Sequence, residues 1–372
     1  MAHKLLKVVG SVAVGSALCV GLLFPLQANA QEAQGNVEEM ATAVDKASAG
    51  QSGSDNEVAS TKAGSDFEAK LGSATVKIPQ NPTGGVAVTR SSSNTNSSFT
   101  VGIGDGKLQA GQLAADGSVV YSGDNVGKSV QATQDGVRIS TVIKAAEAAT
   151  EYVHQLKLPN DARAMRLSEY QLSVEDAQNA KAAASAVSKQ SQGAATNTNT
   201  SADPIIIVDK DNKFIGIFAE AWAKDANGKE VTTSYEIRDG ALVQKVDHKQ
   251  QGVQYPVVAD PYLVKSAKWE NTEEGWTLYV APTGWARAQA ASSLYYRPDH
   301  SYKGGLLGWM EVLEKYGNAG RGIKTNLNGM KNQWICHQQF VGIVKYNKET
   351  WNLDEWRPEV SYKDTVAAEC NP

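Results

Sequence analysis

The chain has 372 residues, of which 41% are hydrophobic and 7% aromatic, and its formal net charge is −4 at pH 7. This length is enough for more than one domain with a packed core. The excess of acidic over basic residues argues against electrostatic binding of nucleic acid by most of the chain.

The first thirty residues have the pattern of a secretory signal peptide. Two lysines precede an apolar run, Val8–Leu26, and the small-residue motif Ala28-Asn29-Ala30 follows it. Glycines and a proline interrupt this run, which is too short to span a bilayer comfortably. We therefore expect cleavage between Ala30 and Gln31, which would release a secreted, extracellular protein with no transmembrane anchor.

Residues 31–72 are rich in small and polar residues, and Phe67 is their only aromatic residue. Such a composition buries too little apolar surface to offset the entropy lost on ordering the chain. We expect a disordered spacer over this stretch.

Residues 73–262 consist of short apolar runs separated by turn signals, such as Asp239-Gly240. Short strands at this spacing predict an all-β, sandwich-like domain. An Ala/Ser/Gln/Asn-rich stretch at 175–203 predicts a low-complexity insertion, in which a helix over Ala177–Ser188 would have no apolar face to fix it. The predicted strands are Thr75–Ile78, Gly85–Thr89, Phe99–Ile103, Val119–Tyr121, Val137–Ile143, Tyr152–Leu158, Met165–Leu172, Ile205–Val208, Phe214–Ala223, Thr232–Ile237 and Ala241–Val246.

Residues 263–372 hold seven of the eight tryptophans and predict a small α+β domain. Trp276–Val280 reads as a strand, and Leu306–Tyr316 has apolar residues at helical spacing. A second helix is expected from an Asn326 cap toward Val341, and Pro282–Ser292 is a weaker helix candidate.

Two cysteines, Cys336 and Cys370, remain after removal of the signal peptide. An exported chain with an even cysteine count favours a disulfide, which for this loop would stabilise the fold by about 3–4 kcal/mol. The alternative is a reactive thiol at Cys336, and thiols rarely persist outside the cell.

Two stretches resemble families of exported proteins. Ala223–Pro261, which contains Asp225-Ala226-Asn227-Gly228-Lys229, resembles a β-rich N-terminal region of exported actinobacterial proteins. The tail carries Gln333-Trp334-Ile335-Cys336-His337, then Trp351–Pro358 and the terminal Cys370-Asn371-Pro372. It resembles an uncharacterised C-terminal domain family of secreted actinobacterial proteins. That resemblance implies export and a disulfide, and it brings no known chemistry.

His337 is the leading candidate for acid–base chemistry, because histidine titrates near neutral pH. The companions proposed for it are Arg287, Arg357 and Glu355, with Asp354 and Glu311 as further carboxylates. The alternative is a hydrogen-bonded histidine that orders a small disulfide-linked domain.

Trp351 and Trp356, with Trp334 nearby, are the leading candidates for ligand binding. Exposed aromatic faces can stack on sugar rings, and Arg357 can pair with carboxylates or phosphates. The alternative is that these tryptophans pack into the core and that Arg357 pairs with an adjacent acid.

The remaining motifs are weaker. Gly123–Ser129 is one residue short of a phosphate-binding loop, and Asp209–Asn212 lacks the glutamate of a calcium loop, so both favour turns. The chain has no zinc-protease, thioredoxin-like or lipase motif, and its few histidines are scattered. We therefore expect neither a metal nor a cofactor.

The leading hypothesis is a secreted or surface-associated protein that binds a cell-envelope polymer or glycan through its tryptophan-rich tail on a β-rich scaffold. The alternatives are a small exported hydrolase or antibacterial effector that uses His337, and a purely structural envelope protein.

Overall fold

The structure is a computed structural model that describes most of the chain from residue 24 onward. The first 23 residues of the predicted signal peptide, the helix candidate Pro282–Ser292 and Arg287 lie outside the described residues. The described ranges are 24–49, 57–71, 74–91, 96–104, 107–133, 136–159, 161–190, 203–212, 214–218, 221–260, 267–271, 273–280, 298–316, 322–344, 348 and 350–372.

The prediction of a disordered spacer at 31–72 is wrong for the described residues of this stretch, which form a helix and three strands. Helix α1 spans Phe24–Ser48 and thus crosses the predicted cleavage point, and three strands follow it before residue 72. Val37, Met40, Ala41 and Val44 are buried at helical spacing. These residues form a narrow apolar stripe, which the low aromatic content of the segment concealed.

The first large sheet is antiparallel and contains seven strands in the order β15-β18-β10-β9-β8-β7, with β1 paired to β9. Its helical cover is α1, which packs on β8, β9, β10 and β18. The strands are β1 (Glu57–Val58), β7 (Gln112–Leu113), β8 (Val119–Tyr121), β9 (Val126–Thr133), β10 (Gly136–Ile143), β15 (Trp222–Lys224) and β18 (Val257–Asp260).

The second large sheet contains eight antiparallel strands in the order β16-β17-β11-β6-β5-β4-β3-β2. The predicted Asp239-Gly240 hairpin turn is confirmed between β16 and β17, with positive φ at both residues. The strands are β2 (Thr61–Ala63), β3 (Asp66–Leu71), β4 (Ala74–Ile78), β5 (Gly85–Ser91), β6 (Asn96–Gly102), β11 (Glu151–Lys157), β16 (Thr233–Arg238) and β17 (Ala241–Val246). Apolar residues of the two large sheets share one core cluster.

A three-stranded sheet separates this core from the C-terminal region. It consists of β12 (Arg163–Arg166), β13 (Ile205–Val208) and β14 (Phe214–Phe218). Every residue of β13 is buried. Ile205 and Ile207 belong to the core of the two large sheets, whereas Ile206 and Val208 belong to the C-terminal core. The β-rich body and the C-terminal region therefore share a packed layer.

Two predicted strands are corrected. In the predicted strand Met165–Leu172, the strand ends at Arg166 and a 3-10 helix follows. At this point the Glu169 side chain accepts a hydrogen bond from the Arg166 amide. Phe214–Ala223 is not one strand, because its two ends lie in different sheets as β14 and β15.

The described residues of the C-terminal region form three helices and a fourth sheet, β19-β20-β21. The helix predictions at Leu306–Tyr316 and from 326 toward Val341 are confirmed, and the strand Trp276–Val280 is observed with those bounds. The elements are β19 (Ala267–Asn271), β20 (Trp276–Val280), α3 (Pro298–Tyr316), α4 (Leu327–Val344), β21 (Trp351–Asp354) and α5 (Tyr362–Ala367). No helix among the described residues is long and apolar enough to cross a membrane.

The insertion at 175–203 is partly helical, with α2 over Val174–Gln190. Asp176 fixes this helix against the C-terminal region, because its Oδ1 accepts hydrogen bonds from Tyr302 Oη at 2.9 Å and from Lys331 Nζ at 2.8 Å. Burial opposes ionisation of Asp176, but the bonds from Lys331 and Ser173 outweigh it and lower its pKa.

Candidate binding face of the C-terminal domain

The tryptophan-rich segment forms the edge strand β21 and the turn that follows it. In the pairing of β20 with β21, Leu278 lies opposite Leu353, and both side chains are fully buried. Thr277 lies opposite Asp354 on the other face of the sheet, and its hydroxyl donates to Asp354 Oδ1 at 2.7 Å. The sheet therefore has an apolar face toward the core and a hydrogen-bonded polar face.

Trp334 and Trp351 are core residues, with 4% and 1% of their surface exposed. Their ring centroids are 4.9 Å apart at an interplanar angle of 57°. Trp334 Nε1 donates to the Gly305 carbonyl at 2.8 Å and so ties α4 to α3. These two rings face no solvent, which corrects the prediction that they form an exposed platform.

His337 is buried beneath Trp351, with 1% of its surface exposed and its ring stacked at 22° to the indole. Its Nδ1 lies 2.7 Å from the Gln333 carbonyl and its Nε2 lies 3.2 Å from Lys348 Nζ. A carbonyl only accepts and an ammonium only donates, so Nδ1 carries the proton and Nε2 accepts. Burial, reinforced by the nearby Lys348 charge, lowers the pKa of His337 to about 4.

A chain of polar contacts fixes the end of β21. The Gln333 side chain donates to the Asp354 carbonyl at 3.0 Å and accepts from the Asp354 amide at 2.8 Å. Arg357 Nε donates to Asp354 Oδ2 at 2.6 Å, and Arg357 Nη1 donates to the carbonyls of Asn371 and Pro372. Arg357 therefore joins the β21 turn to the last residues of the chain.

Glu355 also has a positioning role in this structure. Its Oε1 accepts from the amides of Lys324 and Thr325, and it is 7% exposed. Asn326 does not act as the side-chain cap predicted for α4, because its Oδ1 accepts no hydrogen bond, and its Nδ2 donates to the Arg357 carbonyl. The predicted catalytic companions Glu355 and Arg357 thus hold the loop before α4 and the C-terminus.

Two tryptophans remain exposed at the same end of the sheet. Trp276 is 38% exposed and Trp356 is 40% exposed. The Trp276 carbonyl accepts from the Glu355 amide at 3.0 Å, and the Trp356 side chain lies directly over Gly275, whose φ is +143°. The guanidinium of Arg357 lies 4.4 Å from the centroid of the Trp356 ring, which fixes the orientation of that ring. We call Trp276 and Trp356 the tryptophan edge.

The predicted disulfide is present between Cys336 and Cys370, with a Cα–Cα distance of 5.4 Å. Both cysteines are buried. The bond connects α4, beside His337, to the turn after α5 and therefore stabilises the same end of the domain as Arg357.

Other polar groups lie in other parts of the structure or outside its described side chains. His154 lies fully buried in the second large sheet, where Nδ1 bonds the Gly102 carbonyl at 2.9 Å. Asp209–Asn212 forms the turn between β13 and β14. The side chain of Glu311 lies outside the described residues. Among the side chains that the structure describes, no group of three or more histidine, cysteine, aspartate or glutamate residues could hold a metal ion.

Trp276 is the part of the tryptophan edge that the sequence analysis missed. Strand β20 was predicted over the correct residues, but nothing marked its first side chain as exposed. The signal in the sequence is Gly275, which leaves room for the Trp356 ring beside the strand.

Comparison with known proteins assigns this region to a family without a known activity. Residues 264–372 match the family described as "Protein of unknown function (DUF2599)". An uncharacterised protein of Mycobacterium leprae is 34% identical over 110 residues, which cover 26% of this chain and 83% of that relative. The chain therefore belongs to the same family as that protein.

Other relatives are matched over shorter stretches. Uncharacterised proteins of Mycobacterium tuberculosis and Mycobacterium bovis are each 39% identical over 64 residues, or 17% of this chain. The match spans 39% of the length of these curated relatives. No solved structure matches the chain. The predicted resemblance to an actinobacterial domain of unknown function is thus confirmed for the C-terminal region.

Proposed function

We propose that this is a secreted or surface-associated binding protein, whose C-terminal domain recognises a cell-envelope glycan through the tryptophan edge. The two large sheets would act as a sandwich-like scaffold. The signal-peptide pattern and the disulfide support export. Cleavage between Ala30 and Gln31 would shorten α1 and leave its buried residues Val37, Met40 and Val44 in the mature chain.

The exposure of Trp276 and Trp356 is the observation that carries the proposal. The Trp356 ring keeps 40% of its surface in water, and ordered indole faces stack well on sugar rings. Arg357 holds the Trp356 ring in place through its own bonds to Asp354 and the chain end. An aromatic group ordered in advance loses little entropy on binding.

Catalysis by His337 has weaker support. A general acid or base must reach the proton that it transfers, and this imidazole is 1% exposed beneath Trp351. Its pKa of about 4 also keeps it neutral near pH 7, and its basic nitrogen already accepts from Lys348.

The test is a sedimentation assay with the purified protein and isolated actinobacterial cell envelopes. Trp356→Ala and Trp276→Ala should each lower the fraction of protein in the pellet by about tenfold at limiting envelope, as truncation of an aromatic binding residue does. Leu327→Ala is the matched control, because Leu327 is an exposed apolar residue of the same domain at 47% exposure.

Unchanged pelleting of both tryptophan variants, with near-native circular dichroism, would contradict the proposal. Release of soluble fragments that depends on His337 would instead establish the hydrolase. An absence of pelleting by the parent protein would favour the structural alternative.

A further inference from the structure

Helix α1 covers a polar area of the first large sheet. In the pairing of β9 with β10, Gln131 lies opposite Arg138 and Ser129 lies opposite Ser140. Side chains alternate along a strand, so these four share one face, and they share it with Val142, which packs against α1. All four are at most 2% exposed. We call Ser129, Gln131, Arg138 and Ser140 the covered polar patch.

The patch retains hydrogen-bonding capacity in the presence of α1. Arg138 Nη1 donates to Gln131 Oε1 at 2.8 Å. The hydroxyls of Ser129 and Ser140 are buried without a hydrogen-bond partner. Buried polar groups of native proteins are nearly always satisfied, so two such hydroxyls on one face require an explanation. The side of α1 that covers them is mostly apolar, and its Asp45 carboxylate interacts with Gln131 and Arg138 instead.

The charges at the rim of the patch come from carboxylates around Arg138. Glu57 Oε1 lies 3.9 Å from Arg138 Nη1. Burial and then repulsion by Asp116 raise the pKa of Asp45, which α1 carries, and burial and then repulsion by Asp45 raise that of Glu57. The helix therefore brings a carboxylate among other acids, and this carboxylate is attracted to Arg138 and hydrogen-bonded to the Gln131 side chain.

Further polar contacts of α1 are hydrogen bonds to backbone groups of loops. Lys46 Nζ donates to the Ala226 carbonyl at 2.8 Å, and the Glu38 carboxylate accepts from the Ala115 amide at 3.1 Å and 3.2 Å. Apolar packing of Met40 and its neighbours adds to these contacts. Such a helix can leave the sheet without breaking the strand ladders.

We propose that the covered polar patch is a second binding site, for a uronic-acid residue of an acidic oligosaccharide, and that α1 is its displaceable cover. The carboxylate of the sugar would take the place of Asp45 beside Arg138. Cross-strand neighbours lie about 5 Å apart, which matches the separation of a carboxylate and hydroxyls on one sugar ring. Those ring hydroxyls would satisfy Ser129, Ser140 and Gln131.

The test is calorimetric binding of trigalacturonic acid, with neutral galactotriose as the control ligand. Met40→Asp places a charge on the buried side of α1 and should open the cover. It should raise the affinity for trigalacturonic acid by at least about tenfold, because the binding-competent state becomes the populated one. Thr42→Asp is the matched control, because Thr42 lies on the exposed side of the same helix, and it should leave the affinity unchanged.

A locked variant tests the same point without destabilising the fold. Met40 Sδ and Ser122 Oγ lie 3.9 Å apart, so Met40→Cys with Ser122→Cys should cross-link α1 to the sheet. The oxidised double variant should lose binding, whereas Met40→Cys alone should retain it. In the parent protein, the acidic ligand should speed amide hydrogen exchange in residues 37–48.

Four results would overturn the proposal. The first is equal binding of trigalacturonic acid by the locked and parent proteins, and the second is equal binding of the acidic and neutral sugars. The third is loss of binding in Trp356→Ala, which would place the ligand at the tryptophan edge. Displacement of α1 by a triglutamate peptide but not by the sugar would likewise reject the sugar as the occupant.

Discussion

Replacement of His337 by asparagine should remove much of the acid sensitivity of the C-terminal domain. The imidazole is buried and neutral, with its Nδ1 hydrogen donated to the Gln333 carbonyl. Asparagine can supply the same donor from Nδ2, and it does not titrate. The variant therefore keeps the hydrogen bond and loses the ionisation.

The magnitude follows from the difference between folded and unfolded pKa values. The pKa of His337 falls from 6.5 to about 4 in the folded protein. A histidine with a depressed pKa binds its proton more readily when unfolded, so its contribution to stability is complete above pH 6.5 and is lost as the pH falls toward 4. At about 1.4 kcal/mol per pKa unit, the loss is about 3 kcal/mol.

Urea unfolding at pH 7.0 and pH 4.5, followed by tryptophan fluorescence, measures this loss. The difference in unfolding free energy between the two pH values should be smaller in His337→Asn than in the parent by about 2–3 kcal/mol. His154→Asn in the second large sheet should reduce the difference in the same way, because burial first, and then Lys128, lowers the pKa of His154 to about 3. Contributions from the carboxylates are common to parent and variant, and they cancel in the comparison.

Equal pH dependence in the parent and in His337→Asn would refute the argument, because it would mean that His337 is accessible to protons in the folded state. That result would also revive an acid–base role for this residue, since a histidine that titrates freely near neutral pH can transfer protons.

Three further predictions concern stability and packing. Cys336→Ser with Cys370→Ser opens a loop with a sequence separation of 34 and should lower the unfolding free energy by about 4 kcal/mol, and an unchanged urea midpoint would contradict this. Asp176→Asn should cost about 2–3 kcal/mol in the same assay, because a buried charge-assisted bond to Lys331 is lost. Gly275→Ala puts a Cβ 2.6 Å from a tryptophan side chain at a positive φ, so it should shift the fluorescence of the folded protein and weaken envelope binding, and normal values of both would refute the packing.

The sequence predicted the C-terminal elements well because their apolar residues recur at regular spacing, as in α3 from Leu306 onward. It did not predict β9, whose Lys128, Ser129, Gln131 and Thr133 are buried although their composition is polar. A polar strand buried on both faces carries no apolar alternation that a pattern can detect. The covered polar patch could therefore not be found from the sequence, because its buried strands are polar and show no apolar alternation.

The candidate site was predicted only in part, because exposure is a tertiary property. Trp351 and Trp356 are close in sequence, yet the first lies in the core and the second in solvent. Strand alternation cannot assign the second of them, since β21 ends at Asp354 and the direction of the side chain depends on the turn and on Gly275.

The C-terminal domain matches a known family, and it also packs against parts of the chain that lie outside the family match. The Mycobacterium leprae relative is covered over 83% of its length by 26% of this chain, so most of the present chain has no counterpart in it. Yet Ile206 and Val208 of β13 pack in the C-terminal core, and Asp176 of α2 binds Tyr302 and Lys331. The β-rich body is therefore fixed to a side of the domain formed by α3 and α4, whereas the tryptophan edge lies at the start of β20 and in the turn after β21. In this arrangement Trp276 and Trp356 keep 38% and 40% of their surface exposed, on a domain that is fixed to the body of the protein.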